Sequence, residues 1–149
     1  MARVITDYLD QAVLKYGDKF AFVDEKKKLT YGQLQDEAYH VASAIISFGV
    51  FKEPVAIYLD KGVHVISSFL GVAYSGNFYS PLDTEMPISR IEKIMATLKP
   101  AVVITDQVHR PEAEKFAGNS KILLLEEALE KSIHDEQIKA VTDKVLDTD

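Results

Sequence analysis

The sequence predicts an α/β fold: a mainly parallel sheet flanked by helices on both faces, preceded by a short N-terminal helix and a β-hairpin. From residue 31 onward, apolar runs too short for helices alternate with amphipathic stretches at helical spacing. The connections between these runs are long enough for the crossovers that parallel strands need. With 149 residues, 47% hydrophobic and 27% charged, the chain can fill the core of one ordinary domain.

The first elements are a helix and a hairpin. Residues 6 to 16 have helical spacing, with Thr6 or Asp7 as a cap and Gly17 placed for a left-handed exit. The segments "KFAFVDE" and "KKLTY" resemble two short strands, and Lys26 to Lys28 between them are expected at a solvated hairpin tip.

A longer helix is predicted from Thr30, because Thr30 and Gln33 match the reciprocal capping box. Gly49 supplies its stop. One apolar face is expected to point into the core, made of Leu34, Ala38, Val41, Ala42, Ile45 and Phe48.

The remaining elements alternate between strand and helix. The predicted strands are "PVAIYLD" at 54–60, "NFYSPLD" at 77–83, "AVVITD" at 101–106 and a run from Ile122 to Leu125. The predicted helices are a segment from Val65 that ends at Gly76, "PISRIEKIMATLK" behind Pro87, and a short piece near "RPEAEKF". The acidic end from residue 126 has weak periodicity and is expected to be a frayed helix or a cut end.

Composition argues against several classes of partner. A formal net charge of −6 and a pI near 5.2 leave no basic stripe for nucleic acid. No window approaches the roughly 18 apolar residues of a membrane span, and the N-terminus has no signal core. The absence of cysteine excludes disulfides and thiolate chemistry and fits a reducing compartment. The default expectation is a cytoplasmic protein that binds neither nucleic acid nor membrane.

The residues that could do chemistry give two open interpretations. Asp60, Asp83 and Asp106 each follow a predicted strand, where parallel sheets bind ligands, so they suggest a metal or phosphotransfer site. Aspartates at such places are also common caps and turn formers. No nucleotide-binding loop and no nucleophile elbow around Ser67 or Ser68 is present. The four histidines show no acidic partner at metal-ligand spacing and are expected at or near the surface: His40, His64, His109 and His134.

Two stretches resemble consecutive early motifs of the adenylate-forming enzyme superfamily. The first is "LTYGQL", where Leu29, Thr30, Tyr31 and Leu34 match Leu-Thr-Tyr-x-x-Leu. The second is "LGVAYSGNFYSPLDTEMPISRI", which departs from the family at Tyr74 and Ser75, where a small residue is usual. Its matching residues are Leu70, Gly76, Tyr79, Pro81, Leu82, Asp83, Pro87, Arg90 and Ile91. The second motif is more similar to amino-acid-activating members, such as nonribosomal peptide synthetase adenylation domains and D-alanine carrier-protein ligases, than to acyl-CoA synthetases.

The resemblance implies a two-step reaction in a larger parent enzyme. A carboxylate and Mg·ATP give an acyl-adenylate, and the acyl group then passes to a thiol, often the phosphopantetheine arm of a carrier protein. The family's phosphate-gripping loop, nucleotide contacts and catalytic lysine come later than these motifs, and none appears before Asp149. The resemblance therefore implies that residues 1–125 are the N-terminal portion of an adenylation domain, that 126–149 is a truncation point, and that this chain alone binds neither ATP nor Mg²⁺.

The matched residues are accordingly expected to have framework roles, with no catalytic, cofactor-binding or metal residue among them. Thr30 and Tyr31 start a helix, Gly76 ends one, and Pro81 and Asp83 shape a turn. Arg90 is expected to pair with Glu85 or Asp83. The alternative is a free-standing α/β interaction or regulatory module that kept this part of the family and lost its chemistry.

Overall fold

The computed structural model describes residues 5–23 and 28–148. The helices are α1 (Ile5–Tyr16), α2 (Tyr31–Ser47), α3 (Val63–Tyr74), α4 (Ile88–Leu98), α5 (Arg110–Phe116), α6 (Leu125–Glu130) and α7 (Asp135–Thr148). The strands are β1 (Phe20–Val23), β2 (Lys28–Thr30), β3 (Pro54–Ile57), β4 (Phe78–Pro81), β5 (Val102–Thr105) and β6 (Lys121–Leu124).

The main sheet has four strands in the order β4-β3-β5-β6, and every neighbouring pair is parallel. Ala56 in the central strand β3 lies between Ser80 and Val103. β1 and β2 form a separate antiparallel pair. These findings confirm the predicted parallel sheet and hairpin. Of the three lysines expected at the hairpin tip, Lys26 and Lys27 lie outside the described residues, whereas Lys28 pairs with Val23 at the start of β2 and is not in the turn.

Helices cover both faces of the sheet, as predicted. On one face the sheet side chains pack with α2, α3 and α6 in a cluster that contains Val41, Ala44, Ile45, Val55, Ile57, Val72, Val102, Ile104, Leu123 and Ala128. On the other face they pack with α4 and α5 in a cluster that contains Ala56, Tyr58, Leu82, Ile91, Met95, Val103, Ala113 and Phe116. The covered faces explain why the strands are apolar at consecutive positions instead of alternating.

Helix α2 begins and ends as its sequence predicts. The Gln33 N–H donates to Thr30 Oγ1 at 3.1 Å, and the Thr30 N–H donates to Gln33 Oε1 at 3.0 Å, so both halves of the capping box form. Gly49 follows the helix with φ of 73°, a conformation that glycine adopts without a steric penalty.

Helices α2 and α3 approach each other closely at Gly71. A Cβ atom there would lie 2.6 Å from the Val41 side chain and 2.9 Å from the Ala38 carbonyl oxygen. Glycine at this position therefore allows the two backbones to meet, although a glycine inside a helix lowers its intrinsic stability.

Some local details differ from the sequence-based expectations. Gly17 does not have the positive φ that was expected of it, since the chain leaves α1 through a turn in which the Lys19 N–H donates to the Tyr16 carbonyl. Leu125 begins α6 instead of ending the last strand.

The acidic end forms two helices that are attached to α2. His40 Nδ1 lies 2.7 Å from the Lys131 carbonyl oxygen, and the His134 N–H donates to Ser43 Oγ at 2.9 Å. Ile138 of α7 is buried in a cluster with Leu9 and Leu34. The division at residue 125 remains a prediction. Within the described part of the chain, no helix is both long and apolar enough to cross a membrane.

Candidate functional site at the carboxyl edge of the sheet

Three aspartates lie beyond the carboxyl ends of adjacent strands. Asp60 follows β3, Asp83 follows β4 and Asp106 follows β5. Since β3 lies between β4 and β5, the loops after these strands meet at one edge. Their contacts decide whether they form a ligand site or a set of turns.

His109 connects two of these aspartates. Its Nδ1 atom lies 2.7 Å from Asp106 Oδ1, and its Nε2 atom lies 3.2 Å from Asp60 Oδ1. The His109 backbone N–H also donates to Asp106 Oδ1 at 2.8 Å. The imidazole thus joins the ends of β3 and β5.

Three of the four histidines have an acidic partner, which the interpretation of their sequence spacing did not recognise. Besides His109, His40 lies 3.8 Å from Asp36 and His64 lies 3.3 Å from Glu37. The signal was available for two of them, because Asp36 and His40 are four residues apart on one helix and Asp106 precedes His109 by three. The Asp60 contact depends on the strand order, which local sequence does not reveal.

The loop after β4 joins the same network through Thr84. Its hydroxyl donates to Asp60 Oδ1 at 2.7 Å. Beneath these contacts, the Tyr58 ring meets the His109 ring edge to face, with ring centroids 5.7 Å apart. Burial of Tyr58, with the nearby carboxylates of Glu112, Asp60 and Asp83, raises the pKa of its phenol above the usual value.

Asp83 folds its own loop. Its Oδ1 accepts a hydrogen bond from the Glu85 N–H at 2.9 Å, and its carbonyl accepts one from the Met86 N–H at 3.1 Å. This is the geometry of an Asx turn, in which the side chain replaces a backbone acceptor. The side chain is therefore already engaged with its own backbone.

The residues of "LTYGQL" lie where β2 meets α2. Thr30 caps the helix, and Tyr31 begins it while its N–H donates to the Lys19 carbonyl at 3.0 Å. Leu29 and Leu34 are buried in the cluster that contains Leu9 and Tyr74. These contacts join the N-terminal hairpin to α2.

The residues from Gly76 to Leu82 form the turn into β4 and the strand itself. Gly76 has φ of 78°, and a Cβ atom there would lie 2.5 Å from the Phe51 ring. Tyr79 stacks on Phe69 of α3 at 4.6 Å between centroids. Leu82 is buried on the α4 side of the sheet.

Pro81 lies on the outer edge of the sheet. Phe78 donates its N–H to the Glu53 carbonyl just before β3, and Leu82 donates its N–H to the Ile57 carbonyl of β3. The alternate positions, Tyr79 and Pro81, therefore direct their backbone groups away from β3. Proline has no N–H, so Pro81 removes a donor from this exposed edge.

Pro87 and Arg90 mark the start of α4. Pro87 is the N-cap residue, and its carbonyl accepts hydrogen bonds from the N–H groups of Arg90 and Ile91. The Arg90 side chain is exposed and makes no ion pair with any residue in the described ranges. The expected pairing with Glu85 or Asp83 is therefore absent.

A buried polar network at the amino-terminal ends of β3 and β4 was not predicted from the sequence. Asn77 Nδ2 donates to the Val50 carbonyl at 3.1 Å and to Ser75 Oγ at 2.9 Å. Its Oδ1 accepts from the Glu53 N–H at 3.0 Å. The only local signal was a polar side chain directly after Gly76, where a turn residue was the ordinary explanation.

The carboxyl edge does not fit ATP or a metal ion. Its carboxylates have the same charge sign as phosphate groups, and their oxygens accept hydrogen bonds from Thr84, His109 and Glu85. Among the described side chains, no group of three or more histidines and acids is arranged to hold a metal ion. The arrangement ties strand ends and loops together.

Comparison with known proteins identifies the family. The model of the AMP-binding enzyme family matches residues 9–148. The chain is 32% identical over 102 residues to N-(5-amino-5-carboxypentanoyl)-L-cysteinyl-D-valine synthase of Penicillium rubens, covering 68% of this chain and 3% of that protein. It is 29% identical over 135 residues to gramicidin S synthase 2 of Brevibacillus brevis, covering 90% of this chain and 3% of that protein.

The fold also matches solved structures. The nonribosomal peptide synthetase FmoA3 superposes with a TM-score of 0.81 at 21% identity, over 89% of this chain and 14% of that one. The chain thus spans a small part of the proteins it resembles. With its two motifs in register and the family match over nearly its whole length, the chain belongs to the AMP-binding, adenylate-forming enzyme family.

Proposed function

We propose that the chain is the N-terminal portion of an ATP-dependent ligase that activates an amino acid as an aminoacyl-adenylate and passes it to a carrier thiol. The observation that carries the proposal is the family match over residues 9–148. The choice of an amino acid as substrate is supported by relatives that are named as peptide synthases. It is also supported by a structure of FmoA3 bound to alpha-methyl-L-serine-AMP.

In this proposal residues 1–125 supply framework to the adenylation domain, and the acidic end at 126–149 leads onward from it. The hydrogen-bonded loops at Asp60, Asp83 and Asp106 support a framework role, because their acceptors are engaged within the chain. ATP and Mg²⁺ are held by other parts of the parent enzyme. Its partners are the rest of the adenylation domain and a carrier protein with phosphopantetheine, in the cytoplasm, without nucleic acid or membrane.

The proposal is tested by amino-acid-dependent pyrophosphate exchange on the complete product of the gene that contains this chain. We expect exchange with one amino acid or a small set of them, followed by loading of that amino acid onto a carrier thiol. Formation of coenzyme A thioesters of fatty or aromatic acids, with no amino-acid-dependent pyrophosphate exchange, would contradict the amino-acid assignment. No adenylation of any acid would favour the interaction-module alternative.

Whether this chain alone contains a nucleotide site is tested by titrating Mg·ATP into the 149-residue chain in a calorimeter. We expect no binding up to about 1 mM ATP, because the Asp60, Asp83 and Asp106 carboxylates repel phosphate groups, whose stabilisation requires positioned positive charge. Micromolar affinity would show that a nucleotide site lies within these residues.

A further inference from the structure

Helix α4 has a basic and apolar strip on its exposed side that the proposed function does not use. Five residues at helical spacing line this shallow depression, which we name the α4 stripe: Arg90, Lys93, Ile94, Thr97 and Leu98. The opposite side of the same helix buries Ile91 and Met95 against the sheet. The stripe therefore lies on the side of α4 that the core does not bury completely.

The two basic side chains of the stripe form no ion pair within residues 5–23 and 28–148. The intrahelical neighbours of Arg90 and Lys93 at three and four residues are uncharged or basic. Neighbouring helix α5 shows the contrast, because Arg110 pairs with Glu114 at 2.9 Å and Lys115 pairs with Glu112 at 3.0 Å. No ion pair with a described residue neutralises Arg90 or Lys93.

Apolar side chains lie between these charges. Ile94 and Leu98 are four residues apart and remain partly exposed although both pack against the core cluster on this face. Residues at this spacing lie one above the other on a helix, which is the arrangement that receives an amphipathic helix. Phe78, 61% exposed, adds apolar surface on the same face of the sheet, since its neighbour Tyr79 faces α3.

Charge selects the partner. The whole chain has a formal net charge of −6, so an acidic partner is repelled from most of the surface and attracted to this stripe. We propose that the α4 stripe is a docking surface for an acidic amphipathic helix of another polypeptide, whose apolar residues pack on Ile94 and Leu98 while its carboxylates pair with Arg90 and Lys93.

The test uses fluorescence anisotropy of the 149-residue chain with a labelled helical peptide of leucine and glutamate, about 15 residues long. We expect saturable binding that weakens when NaCl rises from about 0.05 to about 0.5 M. Arg90→Gln with Lys93→Gln should weaken it by about tenfold or more. Counterpart peptides with lysine in place of glutamate, or serine in place of leucine, should not bind.

A matched control removes the same charge elsewhere. Lys15→Gln with Lys139→Gln changes two exposed lysines on α1 and α7, which pack on the side of the sheet opposite α4. This pair should leave peptide affinity within about twofold. Circular dichroism melting of both double variants verifies that each remains folded.

Three results would overturn the proposal. The first is equal loss of affinity in the two double variants, and the second is binding of the lysine peptide as tightly as the glutamate peptide. The third is a wild-type dimer, seen by sedimentation, that becomes a monomer in the Arg90 and Lys93 variant, because the occupant of the stripe would then be a second copy of this chain.

Discussion

Single side chains explain how this chain holds its loops in place. At the carboxyl ends of the strands, His109, Asp60 and Thr84 connect the loops after β3, β4 and β5. At the amino ends, Asn77 connects the turn before β4 to the segment before β3. The Asn77 contacts are buried and satisfy each other, which is the usual condition for polar groups inside a fold, whereas the Asp60 side chain remains 70% exposed. Each set of contacts holds a loop to the end of a strand.

Asn77→Ala should lower the free energy of unfolding by about 2 to 3 kcal/mol, since it leaves the Glu53 N–H and the Val50 carbonyl without their partner. Urea unfolding measures the change. Asn119→Ala, at an exposed loop position, is the control and should change stability by less than about 0.5 kcal/mol. Equal effects at the two sites would show that the Asn77 network contributes nothing.

Tyr74 should make the chain sensitive to alkaline pH. Burial and the hydrogen bond to Asp10 raise the pKa of its phenol far above the usual value, so the folded state keeps the proton that the unfolded state releases. Its stabilising effect is complete below the ordinary tyrosine pKa and is lost as pH rises above it.

Between about pH 9 and 11, the wild-type free energy of unfolding should fall more steeply than that of Tyr74→Phe. Tyr16→Phe, at a half-exposed position, should keep the wild-type slope. Chemical unfolding across this range provides the comparison, and parallel curves for wild type and Tyr74→Phe would contradict the account.

Helices and strands form here because each has a distinct sequence pattern and its own end signals. The capping box of α2 lies where the sequence predicts it, and Gly49 and Gly76, predicted to end helices, follow α2 and α3 with positive φ. Packing between elements adds requirements that periodicity does not show. The contact of α2 with α3 depends on a glycine that lies in the middle of a helix.

Gly71→Ala should destabilise the chain by about 1 to 3 kcal/mol, because the new methyl group meets Val41 and the rigid Ala38 carbonyl and this outweighs the gain in helix propensity. Gly32→Ala is the matched control in α2, where a Cβ would lie 3.4 Å from the Gly17 carbonyl oxygen. Thermal unfolding should show no loss for the control. A neutral Gly71→Ala would mean that the helices can separate without cost.

For the whole molecule, the alternation of elements from residue 31 onward was sufficient to predict the parallel sheet and its two covered faces, and two short strand-like segments predicted the hairpin. The alternation was not sufficient for the contacts at the carboxyl edge. His109 meets Asp60 only because β5 lies next to β3, a neighbour relation set by the strand order. The predicted ion pair of Arg90 failed because it assumed that carboxylates close in sequence, at Asp83 and Glu85, would also be close in space.

The central proposal is that the motif residues of this chain shape the framework of an adenylation domain and do not take part in its chemistry. Asp83 is the critical position, because its carboxylate both belongs to the family motif and lies at a strand end where catalytic acids are found. Its Asx turn gives the carboxylate a structural task that an asparagine oxygen can also perform.

The decisive measurement compares Asp83→Ala and Asp83→Asn in the complete protein, by pyrophosphate exchange with its amino acid and by thermal unfolding. The account predicts that Asp83→Ala lowers stability by about 1 kcal/mol, that Asp83→Asn restores most of it, and that both keep the wild-type exchange rate per folded molecule. A loss of exchange of about a hundredfold in both variants, with the unfolding midpoint unchanged, would contradict it.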